Sequence, residues 1–439
     1  MLLLALSVAV ALIFQYGFAP NYDRIGWQYL SDAWSSGCDE ATSNEELIKV
    51  CAGNAGVYRA SSAAFVFFII FGIGEFSDST CTIAVLHHFS IHCILPNPSL
   101  LAAKCKPTAN REAWPAKYVL FLFLVGATIF IPNDPLFIPI YLWIGRIGSV
   151  FFILLQQVIL VDIAYNWNEA WLNRSDQAEL DEGPGKGKKW LAVILVSCVL
   201  LYAASLAGII IMYMQFGGCA TNEAFISITL VMTLLCTVVQ LTKSETGSLL
   251  TSACMTLYAT YLCGTAVSKN PNAECNPKLG EISTWSIVLG LLICFISLLW
   301  VGWSWTTDKR LGGGNVANGN DGGEEEKGDE EEPKTGGVVL NNEEAASPPS
   351  ESEKQESISS NAASSFASSW KLNAVMALIC CWYAMALTGW GAIENRGDVA
   401  NPDVGAASMW MLIVSQWLAL SLYLWTLVAP TLFPNRDFS

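Results

Sequence analysis

Long apolar stretches constrain the fold of this sequence more than any other feature. Apolar residues gather into blocks of about 18 to 25 residues, the length at which an α-helix crosses a hydrocarbon core of about 30 Å. Only 14% of the residues are charged, which is too few for an ordinary soluble domain. The sequence therefore predicts an all-α fold, a polytopic transmembrane bundle of about ten helices. The predicted spans are residues 1–18, 57–74, 118–132, 136–161, 190–214, 224–241, 248–267, 283–306, 371–390 and 408–429.

One charged segment divides these spans into two groups. Residues 307–370 contain 14 Asp and Glu against five Lys and Arg, with almost no aromatic side chains. Such a segment cannot bury enough apolar surface to offset the entropy cost of ordering. We expect transmembrane helices 1–8 within residues 1–306, a disordered acidic loop over 307–370, and helices 9–10 with a short tail over 371–439. Because the acidity belongs to this loop, the net charge of -15 does not indicate a basic partner for the whole protein. We also expect no nucleic-acid partner.

The basic residues predict the orientation of the bundle. With a cytosolic N-terminus, the cytosolic loops carry 16 Lys and Arg against six on the other side. Leaving out three lysines far from any helix end gives 13 against six, and the positive-inside rule then predicts cytosolic termini and a cytosolic acidic loop. We expect an integral, multi-pass protein of endomembranes or the plasma membrane. The run 1–18 could be a signal peptide or a first transmembrane helix, and its length favours the helix.

Four of the 14 cysteines fall in loops predicted to lie outside the cytosol. An oxidising compartment permits disulfides there, and four cysteines allow three connectivities. The candidates are Cys38, Cys51, Cys219 and Cys275. The short separation of Cys38 and Cys51 favours that pair and leaves the other pairings open.

The fourth predicted span carries the most informative polar residues. Arg146 and Gln157 are 11 residues apart, three helical turns, and so share one face. Asp162, Asn168 and Glu169 follow at the cytosolic end of this span. Because an ionisable side chain in hydrocarbon costs about 2.5 to 3.5 kcal/mol, these residues indicate a path for lipid headgroups. Alternatively, Arg146 reaches the nearer membrane surface and the amide only ties helices together.

A series of short blocks, found mostly after residue 102, carries a resemblance to a known family. The blocks include Trp114, Pro115, Lys117, residues 130–133, 152–157, Asp162, residues 167–171, Leu257, Tyr258, residues 275–277, Met385, Leu387, Thr388, Trp390, residues 422–430 and 436–439. In kind and order they resemble the serine incorporator (Serinc) family, most strongly over residues 102–439. The resemblance implies about ten membrane helices, and a role in delivering serine to phosphatidylserine and sphingolipid synthesis or in scrambling phospholipids between leaflets.

Residues 76–101 interrupt this resemblance. Without them, the apolar run that ends at Gly74 would continue into Ala102, so we interpret the stretch as an insertion or a gene-model artefact. His88 and His92 within it are four residues apart, a spacing that could present two metal ligands on one helical face. We favour an irregular loop and expect no metal site.

The sequence lacks the signatures of an enzyme, such as a Gly-rich phosphate loop that opens a helix. We expect a non-enzymatic protein without a cofactor that handles membrane lipids, by serine incorporation, phospholipid scrambling or both. Its expected partners are membrane phospholipids, with serine or lipid-synthesis enzymes as further candidates, and an oligomer is compatible with the sequence. The alternatives are a solute or ion transporter, for which paired Gly or Pro breaks in two halves would be typical, and a membrane scaffold for lipid-synthesis enzymes.

Overall fold

The computed structural model describes residues 2–38, 45–91, 114–243, 248–272, 274–277, 287–300, 370–390 and 402–433. All regular structure in these ranges is helical, which confirms the predicted all-α fold. The predicted acidic loop, the last residues of the chain and residues 92–113 lie outside the described residues. The domain boundaries and the disorder of the loop therefore stay predictions.

Helices occupy all ten positions at which the sequence predicts spans. In the described ranges the α-helices are α1 (Leu2–Leu12), α2 (Gln28–Ser35), α3 (Glu45–Ile91), α4 (Trp114–Ile129), α5 (Leu142–Glu182), α6 (Lys188–Phe216), α7 (Ala220–Lys243), α8 (Leu249–Val267), α9 (Ile287–Trp300), α10 (Trp370–Leu387) and α11 (Pro402–Leu432). A π-helical segment, Ile13–Phe18, and a 3-10 segment, Ala19–Ile25, extend α1. A second π-helical segment, Leu136–Tyr141, leads into α5.

Seven of the described helical segments are long and apolar enough to cross a membrane. They are Leu2–Asn21, Ile48–Ile73, Leu142–Asp181, Lys188–Phe216, Ala220–Thr242, Trp370–Leu387 and Gly405–Pro430. The helices α4 and α9 are apolar but shorter, and α8 is a 19-residue helix rich in hydroxyl side chains. The multi-pass bundle is thus confirmed, while the count of ten spans stays a prediction.

The polar helix α8 lies inside one half of the bundle. It packs against α5, α6, α7 and α11, and 13 of its 19 residues are buried. Three of its four threonine hydroxyls, those of Thr256, Thr260 and Thr265, donate to carbonyl oxygens one turn earlier. In contrast, α6 buries only five of 29 residues. Because surface that faces lipid must be apolar while an interior helix can carry hydrogen-bonded polar groups, α8 is internal and α6 is peripheral.

The helices α5 and α10 join this half to a second one, in which α3 packs against α1 and α4. Gly148 of α5 lies so close to α10 that a Cβ atom on it would be 2.6 Å from the Cys381 Sγ atom. On another side of α10, the Tyr383 hydroxyl is hydrogen-bonded to the Ser7 hydroxyl of α1. The segment 1–18 is therefore packed into the bundle in the way of a transmembrane helix.

Two disulfides connect the predicted non-cytosolic cysteines. One links Cys38, after α2, to Cys51 in α3, and the other links Cys219, between α6 and α7, to Cys275, after α8. All four cysteines predicted to form disulfides do so, and the pairing is Cys38–Cys51 with Cys219–Cys275, one of the three connectivities that the sequence left open.

Both disulfides lie at the same end of the bundle, called the disulfide end below. Next to the first disulfide, Gly53 packs on the Gln15 carbonyl, and the Gln15 amide donates to the carbonyl oxygen of Leu387 at the end of α10 at 3.1 Å. At the start of α11, Gly405 packs against the Lys269 carbonyl, in the loop that holds Cys275. The end of α10 is thus next to the first disulfide and the start of α11 is next to the loop of the second, which places both disulfides at the α10–α11 end of the bundle.

The backbone of residues 76–91 is helical and continues α3. The described part of the 76–101 stretch is thus not the irregular loop that we favoured. The candidate membrane span within this helix is Ile48–Ile73, so the 47-residue α3 is longer than a membrane crossing requires. The interpretation as an insertion or gene-model artefact stays a hypothesis.

Candidate functional site

Arg146 lies inside the bundle near the disulfide end. It is 2% exposed, its Nη2 atom donates to the carbonyl oxygen of Trp390 at 3.3 Å, and its guanidinium carbon lies 5.2 Å from the centroid of the Trp143 ring. Trp390 has a left-handed backbone (φ 68°), which is unfavourable for a bulky residue. Its carbonyl oxygen also accepts the Ser408 hydroxyl at 3.0 Å. Arg146 therefore helps to hold the turn that follows α10.

Gln156 and Gln157, about a third of the way along α5, bind two different helices. Gln157 is 5% exposed, and its Nε2 atom donates to the carbonyl oxygen of Ala419 in α11. Gln156 is 1% exposed, and its Oε1 atom accepts the Tyr258 hydroxyl of α8 at 3.2 Å. The other amide atoms, Gln156 Nε2 and Gln157 Oε1, are buried without a hydrogen-bond partner among the described residues. Each such atom costs about 1 to 3 kcal/mol.

Polar side chains on α11, on either side of Ala419, add further interhelical hydrogen bonds to those of Gln156 and Gln157. Gln416 is fully buried, and its Nε2 atom donates to the Thr229 hydroxyl at 3.0 Å, while its Oε1 atom has no partner in the described chain. The Tyr423 hydroxyl is hydrogen-bonded to Ser252 at 2.8 Å. Spacings of three and four residues place Gln416, Ala419 and Tyr423 on one face of α11. We call Gln156, Gln157, Ser252, Tyr258, Gln416 and Tyr423 the polar seam.

A separate polar group lies farther along α5, around the midpoint of this 41-residue helix. The Asp162 side chain is exposed, and its Oδ2 atom accepts the Trp300 indole N–H of α9 at 2.6 Å. Its Oδ1 atom accepts the side-chain amide of Asn166 at 2.9 Å. Asn168 is half-buried and Glu169 is exposed on the same stretch of helix. Asp162 is thus an oriented carboxylate at the surface of the bundle.

The structure divides the five residues of the predicted headgroup path into two groups. Arg146 and Gln157 share an interior face of α5, whereas the five residues from Gln157 to Asp162 turn the helix by about 140°. Asp162 and Glu169 therefore do not continue the Arg146 line, whereas Asn168, 11 residues after Gln157, lies on the same face as Gln157 and Arg146. The path itself stays a prediction.

Sequence reasoning missed most of the seam, although the seven-residue spacing of Gln416 and Tyr423 in the tenth span, about two helical turns, was a signal that could have indicated a polar face. No sequence signal pointed to Trp300.

The described ranges contain no group of three or more His, Cys, Asp or Glu side chains that could bind a metal ion. The site consists instead of amides, hydroxyls, one arginine and one carboxylate distributed over an apolar helical bundle. This combination defines a class of protein, the α-helical multi-pass integral membrane proteins.

The chain belongs to the serine incorporator family, whose model, "Serine incorporator (Serinc)", matches residues 1–436. It is 26% identical to a probable serine incorporator of Nematostella vectensis, over 80% of this chain and 78% of the relative. It is 27% identical to human serine incorporator 2, over 73% and 70% of the two chains. Membrane protein TMS1 of Saccharomyces cerevisiae is 25% identical, over 83% of each. The family predicted from short sequence blocks is confirmed.

Proposed function

We propose that this protein moves phospholipid headgroups, or serine-derived headgroups, across the membrane along the polar seam. The observation that carries the proposal is the pair of buried amide atoms, Gln156 Nε2 and Gln157 Oε1, without a partner in the described chain. A structural amide gains most when both ends are bonded. Amides that keep one end free in the middle of an apolar bundle are suited to a polar group that passes and leaves.

The energetics of lipid movement require such partners. A charged or zwitterionic headgroup loses its water in the hydrocarbon, which costs far more than a single hydrogen bond returns. The seam offers amide and hydroxyl groups on α5, α8 and α11 at successive depths, and Arg146 adds a cation near one end. A succession of weak partners lowers the barrier without trapping the headgroup. This process forms and breaks no covalent bond, so the proposal requires no enzyme activity and no cofactor.

The proposed orientation places the termini and the acidic loop in the cytosol. The charge count supports it, and so do the two disulfides at one end of the bundle, because disulfides form in oxidising compartments. Asp162 then faces the cytosolic leaflet and Arg146 the opposite leaflet. The compartment proposed is an endomembrane or the plasma membrane.

Purified protein in liposomes tests the proposal. The liposomes contain a trace of phospholipid with a fluorophore on its acyl chain, and dithionite added outside bleaches only the outer leaflet. Protein-free liposomes should lose about half of the fluorescence, and liposomes with the wild-type protein nearly all of it. Equal, half-complete bleaching in both samples would show that the protein does not move this lipid.

The informative variant is Gln157→Leu, with Thr260→Val as its matched control. Gln157→Leu removes a seam amide, and we expect at least about threefold slower bleaching of the inner leaflet, the equivalent of a weakened hydrogen bond. Thr260 is a buried α8 residue that packs towards Gly208 of α6 and bonds within its own helix, so Thr260→Val should leave the rate unchanged. Equal rates for Gln157→Leu and the wild type would place the working surface elsewhere.

A further inference from the structure

We propose that Asp162 and Trp300 form a binding site for primary ammonium groups halfway along α5, at the end of its membrane-crossing part that lies away from the disulfides. The chemistry recognised is a protonated primary amine, which ethanolamine and serine phospholipids share with free serine. The role of this site in transport rests on the proposed lipid movement, whereas the binding of the amine does not.

The position of Asp162 suits a headgroup. The helix α5 begins at Leu142, and about 20 residues of helix cross a hydrocarbon core of about 30 Å. Asp162 therefore falls where α5 leaves the hydrocarbon and enters the headgroup layer. Its side chain is exposed, so a lipid headgroup or a small solute can reach the carboxylate without a change in the fold.

The carboxylate is held in one orientation by two neutral donors. The Trp300 indole N–H and the Asn166 amide each donate to one carboxylate oxygen, at 2.6 and 2.9 Å. Both donors are neutral, and no basic side chain of the described ranges is ion-paired with Asp162. The negative charge is therefore directed at whatever occupies the exposed side.

The remaining acceptor capacity of Asp162 selects the kind of cation. An ionised carboxylate offers about four acceptor positions, and the two contacts from Trp300 and Asn166 leave about two. A primary ammonium group carries N–H donors that fill such positions, whereas a trimethylammonium group has none. The Trp300 ring attracts any cation that binds beside it, so affinity comes from both residues and selectivity from the carboxylate.

A purely structural role for Asp162 would not need its charge. The Trp300 indole donates a single hydrogen bond, and an asparagine oxygen at the same position accepts one equally well. A charge next to hydrocarbon is expensive and usually marks a functional site. Asp162→Asn therefore keeps the acceptor for Trp300 and removes the charge that attracts an amine. The Asn166 amide loses its side-chain acceptor but keeps the backbone carbonyl oxygen of Asp162, to which it also donates at 2.9 Å.

The first experiment measures headgroup selectivity in liposomes by the dithionite method. Four acyl-labelled lipids are compared: phosphatidylethanolamine, its N-methyl and N,N-dimethyl forms, and phosphatidylcholine. The wild type should move them at rates that fall as N–H donors are replaced by methyl groups. Asp162→Asn should lower the ethanolamine-to-choline rate ratio about threefold, towards one, because an exposed charge-assisted bond is lost. Trp300→Phe should have a smaller effect in the same direction.

The matched control is Asp176→Asn, which removes another exposed carboxylate from α5. It should leave the rate ratio at the wild-type value. An unchanged ratio in Asp162→Asn, or an equal loss for all four lipids, would overturn the ammonium site while leaving lipid movement by the seam intact. Failure of the wild type to move any lipid would instead count against the proposed function.

The second experiment measures binding without transport. Thermal unfolding of the purified protein in detergent is followed with dihexanoyl phosphatidylethanolamine, dihexanoyl phosphatidylcholine or L-serine, since a ligand bound by the folded state raises the midpoint. The ethanolamine lipid should stabilise the wild type and Asp176→Asn more than the choline lipid does, and should lose this advantage in Asp162→Asn. Stabilisation by L-serine as well would identify the free amino acid as a second source of the amine. Equal effects of the two lipids on the wild type would refute the site.

Discussion

At the scale of single residues, Arg59 shows how the bundle holds a buried cation with carbonyl oxygens, and no carboxylate, as its hydrogen-bond partners among the described residues. Its Nε and Nη2 atoms donate at 2.8 to 3.0 Å to carbonyl oxygens near the ends of α2 and α4, and its guanidinium carbon lies 4.3 and 5.0 Å from two ring centroids. The carbonyls belong to Ala33, Thr128 and Ile131, and the rings to Trp34 and Phe137. Because the C-terminal ends of helices carry partial negative charge, they stabilise this cation.

Arg59→Lys should destabilise the protein although the charge is kept. A lysine cannot donate to three separated carbonyls or stack its head group on two rings, so we expect a loss of about 2 to 3 kcal/mol. The measurement is thermal unfolding in detergent. Arg24→Lys, at an exposed position, is the control and should change the midpoint little. If the two variants unfold at the same temperature, Arg59 does not hold these segments together.

The Gln157 amide should contribute to transport rather than to stability. Its Oε1 atom is buried without a partner in the described chain, and the Ala419 carbonyl that it binds lies inside α11, where a backbone N–H also reaches it. Gln157→Leu should therefore unfold at the wild-type temperature or above. A lower unfolding temperature together with slower lipid movement would assign the amide to the structure of the bundle.

At the scale of elements, the close approach of α5 and α10 depends on glycine. A Cβ atom on Gly148 would lie 2.6 Å from Cys381 Sγ and 2.8 Å from Cys381 Cβ, so Gly148→Ala must push the helices apart at a cost of about 1 to 3 kcal/mol. Gly126→Ala in α4, where nothing lies within 4 Å, should be neutral or slightly stabilising because alanine favours helix. Thermal unfolding of both variants distinguishes them, and equal midpoints would contradict the close contact.

The same elements show what the sequence can predict and where prediction stops. The position of each helix follows from its apolar block, because crossing a hydrocarbon core fixes both length and composition. The neighbours of a helix depend on packing that no single block contains. Sequence spacing put Arg146 and Gln157 on one face of α5, but the Ala419 carbonyl and the Trp300 indole come from helices far along the chain. The side of the membrane predicted for each loop identified the cysteines that form disulfides. Which cysteine pairs with which was seen only in the structure.

At the scale of the whole molecule, the two disulfides and the basic residues should mark opposite sides of the membrane. Cys219–Cys275 and Cys38–Cys51 share one end of the bundle, and the basic residues that follow α5, Lys186, Lys188 and Lys189, lie at the other. Positive charge is retained in the cytosol and disulfides form outside it. Residues 311–365 should therefore be cytosolic, and Cys275 should lie on the opposite side.

A protease-accessibility map of cells tests this orientation. A cleavage site placed within residues 311–365 should resist protease in sealed cells, or in sealed vesicles of cytosol-inside orientation, and be cut once the membrane is permeabilised. A membrane-impermeant maleimide should label Cys275 in the same sealed preparation, but only after mild reduction, because the thiol is bound to Cys219. Cys198, a buried free cysteine of α6, is the internal control and should stay unlabelled. Cleavage in sealed preparations would show that the orientation is inverted, and with it the leaflet that Asp162 faces.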